Sequence, residues 1–580
     1  MMTRRFRSIL LAAGALAIGA AAIAQDKPES LLPPGFGEPA PTPSATAAVP
    51  PPDASGAVVQ PLPGVTPLPS PSVSPSPSPS PTSTESPYQL PAFARRPLSR
   101  IGIGPSGMPA DAFGGADGRT VEILMRRLSA PLPSRWLSIA LRRLLVAPID
   151  TPRGLDGADF AAERAWLLLR MGESVAARAV AEGVDTDNVT PKLRQVWMQA
   201  ALATADPAGL CALAPGAGAS ERGWVVARAM CATLSGAGDG PALLRDVRRR
   251  RIASGIDLQL AQKVMGAGLN SRQAITIDWA PVVQLNAWRF GLATATGVAV
   301  PDELYATVGA QVTGWRALAP AIPLAERAAP AETAAAMGVL SNVAMVDLYS
   351  AIAEDGDAPA ALGGTAETLR EAYVGDRAGR LTALRSLWDG ASTRAGRHAR
   401  LVLTARAAAG IVPATETPEA DRLVAAMLTA GLDRTAARWR GFVTAGGDGQ
   451  AMLTLSDPDG PGRPASLDEY APSGSNSERK KQLYFAGLAG LARLSPAQVE
   501  EAAAALDVRI GVANAWTRAI DRAARDRQVG TVLLLAAIGM QAGDWTGVPP
   551  EHLYRIVAAL RAVGLSGEAR MIAAEAIARL

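Results

Sequence analysis

The stretch AWLLLRMGESVAARAVAEGVD, Ala165 to Asp185, decides how this chain is read. Two apolar, alanine-rich segments flank a single glycine, Gly172. Apolar residues recur at spacings of three and four, the pattern of a helix that buries one face. Glycine adopts the left-handed backbone that follows many helix ends without a steric penalty. Small residues such as Ala165 and Ala177 let two helices approach closely. The stretch therefore predicts a helix, a tight turn at Gly172 and a second helix folded back on the first. It carries no obvious catalytic chemistry.

The same pattern runs outward from about Gly118 to Leu580. Val121, Leu124, Met125 and Leu128 share one helical face, as do Trp136, Ile139, Ala140 and Leu144. Period-two alternation is nearly absent, and turn signals such as SAPLPS, DTDNVTP and LSGAGDGP punctuate the chain. Trp136, Trp166, Trp197 and Trp224 follow one another at intervals of 30, 31 and 27 residues. The opening stretch has two echoes. AMLTAGLDRTAARW, from Ala426, turns at Gly431, and LRAVGLSGEARMIAAEAI, from Leu560, turns at Gly564. The expected fold is all-α: an irregular α-solenoid of helix hairpins after a signal peptide and a disordered Pro/Ser-rich linker.

These segments resemble the tetratricopeptide class of helical repeats in a degenerate form. Ala165, Leu168, Gly172 and Ala177 fall at that motif's small, large, glycine and alanine positions, while its aromatic residues and closing proline are not all present. The resemblance implies a superhelix of roughly 12 units with a concave binding face. The tethered body as a whole is also similar to secreted proteins of alpha-proteobacteria, a resemblance that implies no activity.

Address and organisation come from the ends and the composition. Arg4, Arg5 and Arg7 precede an uncharged apolar run from Ser8 to Ala24, and Ala22-Ile23-Ala24 offers small residues for a signal peptidase. This predicts an exported, periplasmic or secreted chain with a signal peptide over 1–24. Residues 28–97 hold 21 of the 46 prolines, which predicts an extended tether over 25–115. A helical-repeat body is expected over 116–445. A Gly-, Pro- and Ser-rich flexible loop is expected over 446–481, and a C-terminal helical module over 482–580. Contact with a membrane is expected only through an uncleaved signal anchor. A net charge of +4 on 580 residues gives no reason to expect nucleic acid.

Candidate chemistry is sparse. Cys211 and Cys231 flank a Pro/Gly turn and are expected to form a disulfide in an oxidising compartment. GIGPSG, Gly102 to Gly107, lacks the preceding strand and following helix of a dinucleotide loop. His398 and His552 have no second histidine at helical spacing, so neither metal nor cofactor is expected. Arg248, Arg249, Arg250 and Arg251 form the densest charge, a solvated helix end or a patch for anionic partners. Trp279 and Trp288 are the aromatic pair most suited to line a groove. The expected role is a non-catalytic scaffold that presents a concave surface to an envelope protein or cell-wall glycan. AIGMQAGDW, from Ala537, resembles a motif of lytic transglycosylases and implies the alternative, a peptidoglycan-active hydrolase or its inactive relative. No Glu-Ser dipeptide precedes it in a suitable module, and Glu551 and Glu575 are read as helix-face residues.

Overall fold

The computed structural model describes residues 91–580 except 217, 219, 220, 270–274 and 461–464. The signal peptide and the tether as far as residue 90 lie outside the described residues. The fold is all-α: among the described residues there are 25 α-helices and one two-stranded ribbon. Consecutive helices pair as hairpins, among them Gly157–Arg170 with Ser174–Ala181, Arg394–Ala409 with Ala420–Thr429, and Pro550–Ala562 with Ser566–Ala578.

The turn at Gly172 is as its sequence suggests. Its φ is 88°, the Gly172 amide donates to the Leu169 carbonyl, and the Glu173 amide donates to the Leu168 carbonyl at 2.9 Å. This pair of bonds is the Schellman closure of a helix end. Gly431 and Gly564 repeat it, with Leu432 donating to Met427 and Leu565 to Leu560. The same left-handed turn recurs at Ala205, Arg251, Ala492, Asp507 and Arg527, where no glycine marks it. The repeat unit is thus more regular in the backbone than in the sequence. Ala165 and Ala177 are fully buried between their helices, and Trp166 packs in the core beside them.

The array closes on itself, so it is not an open-ended superhelix. Helix Arg135–Val146 packs against both Val529–Gly539 and Ser566–Ala578 near the opposite end of the chain. The joint is polar and buried. The Ser134 hydroxyl donates to Glu575 Oε2 at 2.6 Å, the Arg135 amide to Oε1 at 2.8 Å and the Trp136 amide to Oε2 at 3.1 Å. A carboxylate thereby caps the N-terminus of a helix more than 400 residues away in sequence, where exposed N–H groups and the helix dipole favour negative charge. Arg135 reaches on to the Ala335 and Leu340 carbonyls, and Arg579 to those of Pro133 and Ala336. One helix start therefore joins three parts of the ring.

Two boundaries expected from composition move. The tether was placed as far as 115, but Ile101, Ala112 and Phe113 are buried in the core. Arg100–Ile101 pairs antiparallel with Ile149–Asp150, and the Gly530 amide donates to the Ala112 carbonyl at 2.7 Å. Gly102 lies so close to Ala147 that a Cβ there would sit 2.1 Å from its carbonyl oxygen, which explains one glycine of GIGPSG as packing. Arg164, fully buried, clamps this segment by donating to the Ile101 and Ala147 carbonyls. The stretch 446–481, expected as one flexible loop, contains the helix Asp448–Ser456 and the start of Ser477–Gly490. Met452, Leu453, Leu455 and Tyr470 within it are buried, because the polar composition surrounds a short apolar face.

Cys211 and Cys231 are disulfide-bonded, with their Cα atoms 5.3 Å apart. Cys231 lies in the helix Arg222–Leu234, and Cys211 follows the short turn Pro207–Leu210 rather than sitting within a helix. The bond closes a loop of sequence separation 20. Replacing both cysteines with serine is expected to lower the unfolding free energy by about 3 kcal/mol, from the chain entropy restored to the unfolded state. Equilibrium denaturation of the double variant beside the oxidised parent measures this. An unchanged midpoint would show that the loop is held closed without the bond.

Candidate functional site

Beside the closure, six helices leave a cleft of about 360 Å³. Arg394, Arg397, His398 and Leu401 lie along one face of Arg394–Ala409, at the spacing a helix requires. Asp421, Arg422 and Ala425 face them from Ala420–Thr429, and Asp448 and Met452 from Asp448–Ser456. Lys480, Trp388 and the stretch Ile577–Leu580 complete the lining. The floor is apolar, made by the buried side chains of Trp388, Met452 and Ile577. The rim is cationic, made by Arg394, Arg397 and Arg422.

The acidic residues at the cleft are already engaged. Asp421 accepts from the Thr444 and Gly449 amides at 3.0 Å each, and so fixes the turn that leads into the next helix. Asp448 accepts from the Tyr470 hydroxyl at 2.8 Å and pairs with Lys480 at 2.5 Å. The rim cations are held loosely. Arg394 pairs with Asp544 at 3.3 Å and Arg422 with Asp389 at 2.8 Å, all four groups being well exposed. Arg422 also lies over the Trp388 ring, 4.7 Å from its centre. Arg397 donates to the Ser392 carbonyl and has no carboxylate within 4.0 Å among the described residues.

His398 sits at the base of this rim and is buried. Burial first, and then the positive charges of Arg579 and Arg135, push its pKa well below the usual value and hold the ring neutral. Its place on the helix explains the burial. His398, Val402 and Ala405 lie where neighbouring helices cover this helix, while Arg394 and Arg397, nearer its start, are exposed at the mouth of the cleft.

The other residues singled out in the sequence lie elsewhere. Trp279 and Trp288 are half-buried, and neither lines this cleft. The Trp288 indole donates to the Asp257 carbonyl, and Trp279 packs from a non-helical segment. Arg248 and Arg249 end the helix Gly240–Arg249, Arg250 caps it, and Arg251 takes the left-handed turn. All four are exposed, and Asp246 pairs with Arg249 and Arg250. His552 stacks on Trp516 at 4.4 Å, with Nδ1 2.7 Å from the Gly539 carbonyl. Glu575, read as a helix-face residue, is instead the buried cap of the ring closure. Its neighbours Ala573, Ala574, Ala576 and Ile577 are apolar all round, the signal that this charge needed an internal partner.

Other buried carboxyl groups were also unmarked, Glu163 and Glu173 among them. Glu163 and Glu122 share Arg126 and Lys192 in one network, with Lys192 2.9 and 2.7 Å from the two carboxylates. Burial raises the Glu163 pKa. Glu173, one residue past Gly172, meets Arg142 at 2.8 Å, and its burial raises its pKa to about 7. Among the described residues no group of three or more His, Cys, Asp and Glu is placed to hold a metal ion, and no helix is long and apolar enough to cross a membrane. In comparisons with known proteins, no family model matches the chain, and no curated protein and no solved structure is detectably similar to it.

Proposed function

We propose that this chain is a non-catalytic scaffold or binding protein of the bacterial cell envelope, which offers a helical-repeat surface to a protein or glycan partner. The observation that carries the reading is where the buried carboxyl groups go. Glu575 caps a helix, Glu173 ties two hairpins to Arg142, and Glu163 closes a four-residue ion network. None of the three lines the cleft, whereas a glycan-cleaving enzyme of the lytic-transglycosylase kind needs a carboxyl group of raised pKa facing its substrate. These buried carboxyl groups serve the framework, and the cleft offers a cationic rim suited to binding. The export signal and the Pro/Ser tether read from the sequence support an envelope location for that framework.

The test has two parts. Full-length protein incubated with purified peptidoglycan sacculi is expected to release no soluble fragments. Release would overturn the non-catalytic reading. Fractionation of expressing bacterial cells is expected to place the chain in the envelope or the medium, and recovery in the cytoplasm would overturn the location.

A further inference from the structure

The helix Ala515–Arg525 turns one face into solvent and fills it with arginine. Thr517, Ile520 and Ala523 are its buried side, and its exposed residues are Ala515, Arg518, Arg522 and Arg525. Spacings of four and three place the guanidinium groups in one stripe, with about 10 Å of helix from first to last. Arg518, Arg522 and Arg525 have no ion pair among the described residues. Asp521, the only acid within the helix, turns aside to Arg555, and the cap residue Asp526 pairs with none of the stripe. Like charges four residues apart on a helix repel and weaken it. The helix dipole favours Arg522 and Arg525 in the last turn, but it gives no help to Arg518 near the start. The fold thus carries a cationic stripe that no carboxylate of the described residues neutralises.

We propose that this stripe binds a linear anionic glycan, whose carboxylate or phosphate groups meet Arg518, Arg522 and Arg525 in turn. The proposal names the partner class of the scaffold reading above and rests on that reading. Guanidinium groups match both anions with paired N–H bonds. Other anionic partners would need something this face lacks. Protein interfaces are centred on apolar and aromatic side chains and depleted in charge there. A helix that lies on a membrane sinks large apolar side chains into it. Here the only exposed neighbour of the arginines along the helix is Ala515. Val512, exposed ahead of the helix, is a single apolar residue of the ordinary surface kind. A hydrophilic polymer with spaced charges is the partner that asks for no apolar contact.

The probes are fluorescently labelled oligogalacturonate and a phosphomannan oligosaccharide, titrated with full-length protein and followed by anisotropy. Saturable binding of at least one is expected, and it should weaken as ionic strength rises, because exposed charges are screened. Preference for one of the two identifies the anion as carboxylate or phosphate. The triple variant Arg518→Gln, Arg522→Gln, Arg525→Gln alters exposed side chains only, so its circular dichroism should match the parent. Its affinity is expected to fall at least about tenfold, from the charged hydrogen bonds removed. The charge-matched control Arg248→Gln, Arg249→Gln, Arg250→Gln should bind as the parent does. Equal loss in both triple variants would overturn the helix as the site, and no saturable binding of either glycan would overturn the proposal. Tighter binding of phosphatidylglycerol vesicles, polyglutamate or duplex DNA than of both glycans would overturn the glycan as partner. These outcomes are separable from the scaffold reading. Fragment release from sacculi or recovery in the cytoplasm would defeat that reading and leave these titrations as they are, whereas silent titrations would remove the glycan and leave the scaffold with a protein partner.

Discussion

Glu575→Ala is expected to lower the unfolding free energy by about 3–5 kcal/mol, the range for breaking a buried charge pair from one side. Three donors lose their acceptor at once: the Ser134 hydroxyl and the Arg135 and Trp136 amides. Two cations also lose their counter-charge. Burial already pulls the Arg135 pKa down to about 10, with Glu575 acting against that pull, and Arg579 lies 3.1 Å from the same carboxylate. Glu575→Gln should lose less, because an amide oxygen still accepts from the helix N-terminus while the charge compensation is gone. The ordering parent, Gln, Ala is itself informative. Urea denaturation followed by circular dichroism measures it. An alanine variant within about 1 kcal/mol of the parent would mean that apolar packing alone closes the ring.

What the sequence disclosed and what it hid divide along one line. Local order was legible: the helical period, the left-handed turns at Gly172, Gly431 and Gly564, and the loop closed by Cys211 and Cys231 all follow from residues close in the chain. The turns at Ala205, Arg251, Ala492, Asp507 and Arg527 were hidden because five non-glycine residues carry a conformation that costs each of them about 1 kcal/mol or more. The closure was hidden for a different reason. Ser134 and Glu575 meet only in the finished fold, and no periodicity reaches across that separation. The cleft was half legible. His398 was visible as a residue among arginines, but its burial depends on the face it shares with Val402, and its opposite wall comes from a segment whose glycines and prolines concealed the helix Asp448–Ser456. The tryptophan pair drew attention through size alone, which identifies core more often than surface.

Stability between pH 5 and 8 should reveal two buried groups that act in opposite directions. Glu173 has its pKa raised from 4.5 to about 7, first by burial and against the pull of Arg142. The folded chain then holds a proton that the unfolded chain has released, so this carboxyl group destabilises the fold as pH rises through that window. A rise of that size corresponds to about 3 kcal/mol, fully present above pH 7 and absent below about 4.5. His398 works the other way. Its folded pKa lies well below 6.5, so below that pH the unfolded chain takes up a proton that the folded chain refuses. The fold loses about 1.4 kcal/mol for each pH unit descended until the folded pKa is reached. The charges that act on that ring are those of Arg579 and Arg135, and both oppose its protonation. The parent protein should therefore show a nearly flat contribution from the pair, and the single variants should tilt it. Glu173→Gln keeps an acceptor for Arg142 and removes the alkaline penalty, so it should match the parent near pH 5 and exceed it at pH 8. His398→Gln should gain on the parent as pH falls from 7 to 5. Denaturation midpoints of the three proteins across this range decide it. If Glu173→Gln were the weaker protein at pH 8, the ion pair with Arg142 would outweigh burial and the sign assigned to Glu173 would be wrong.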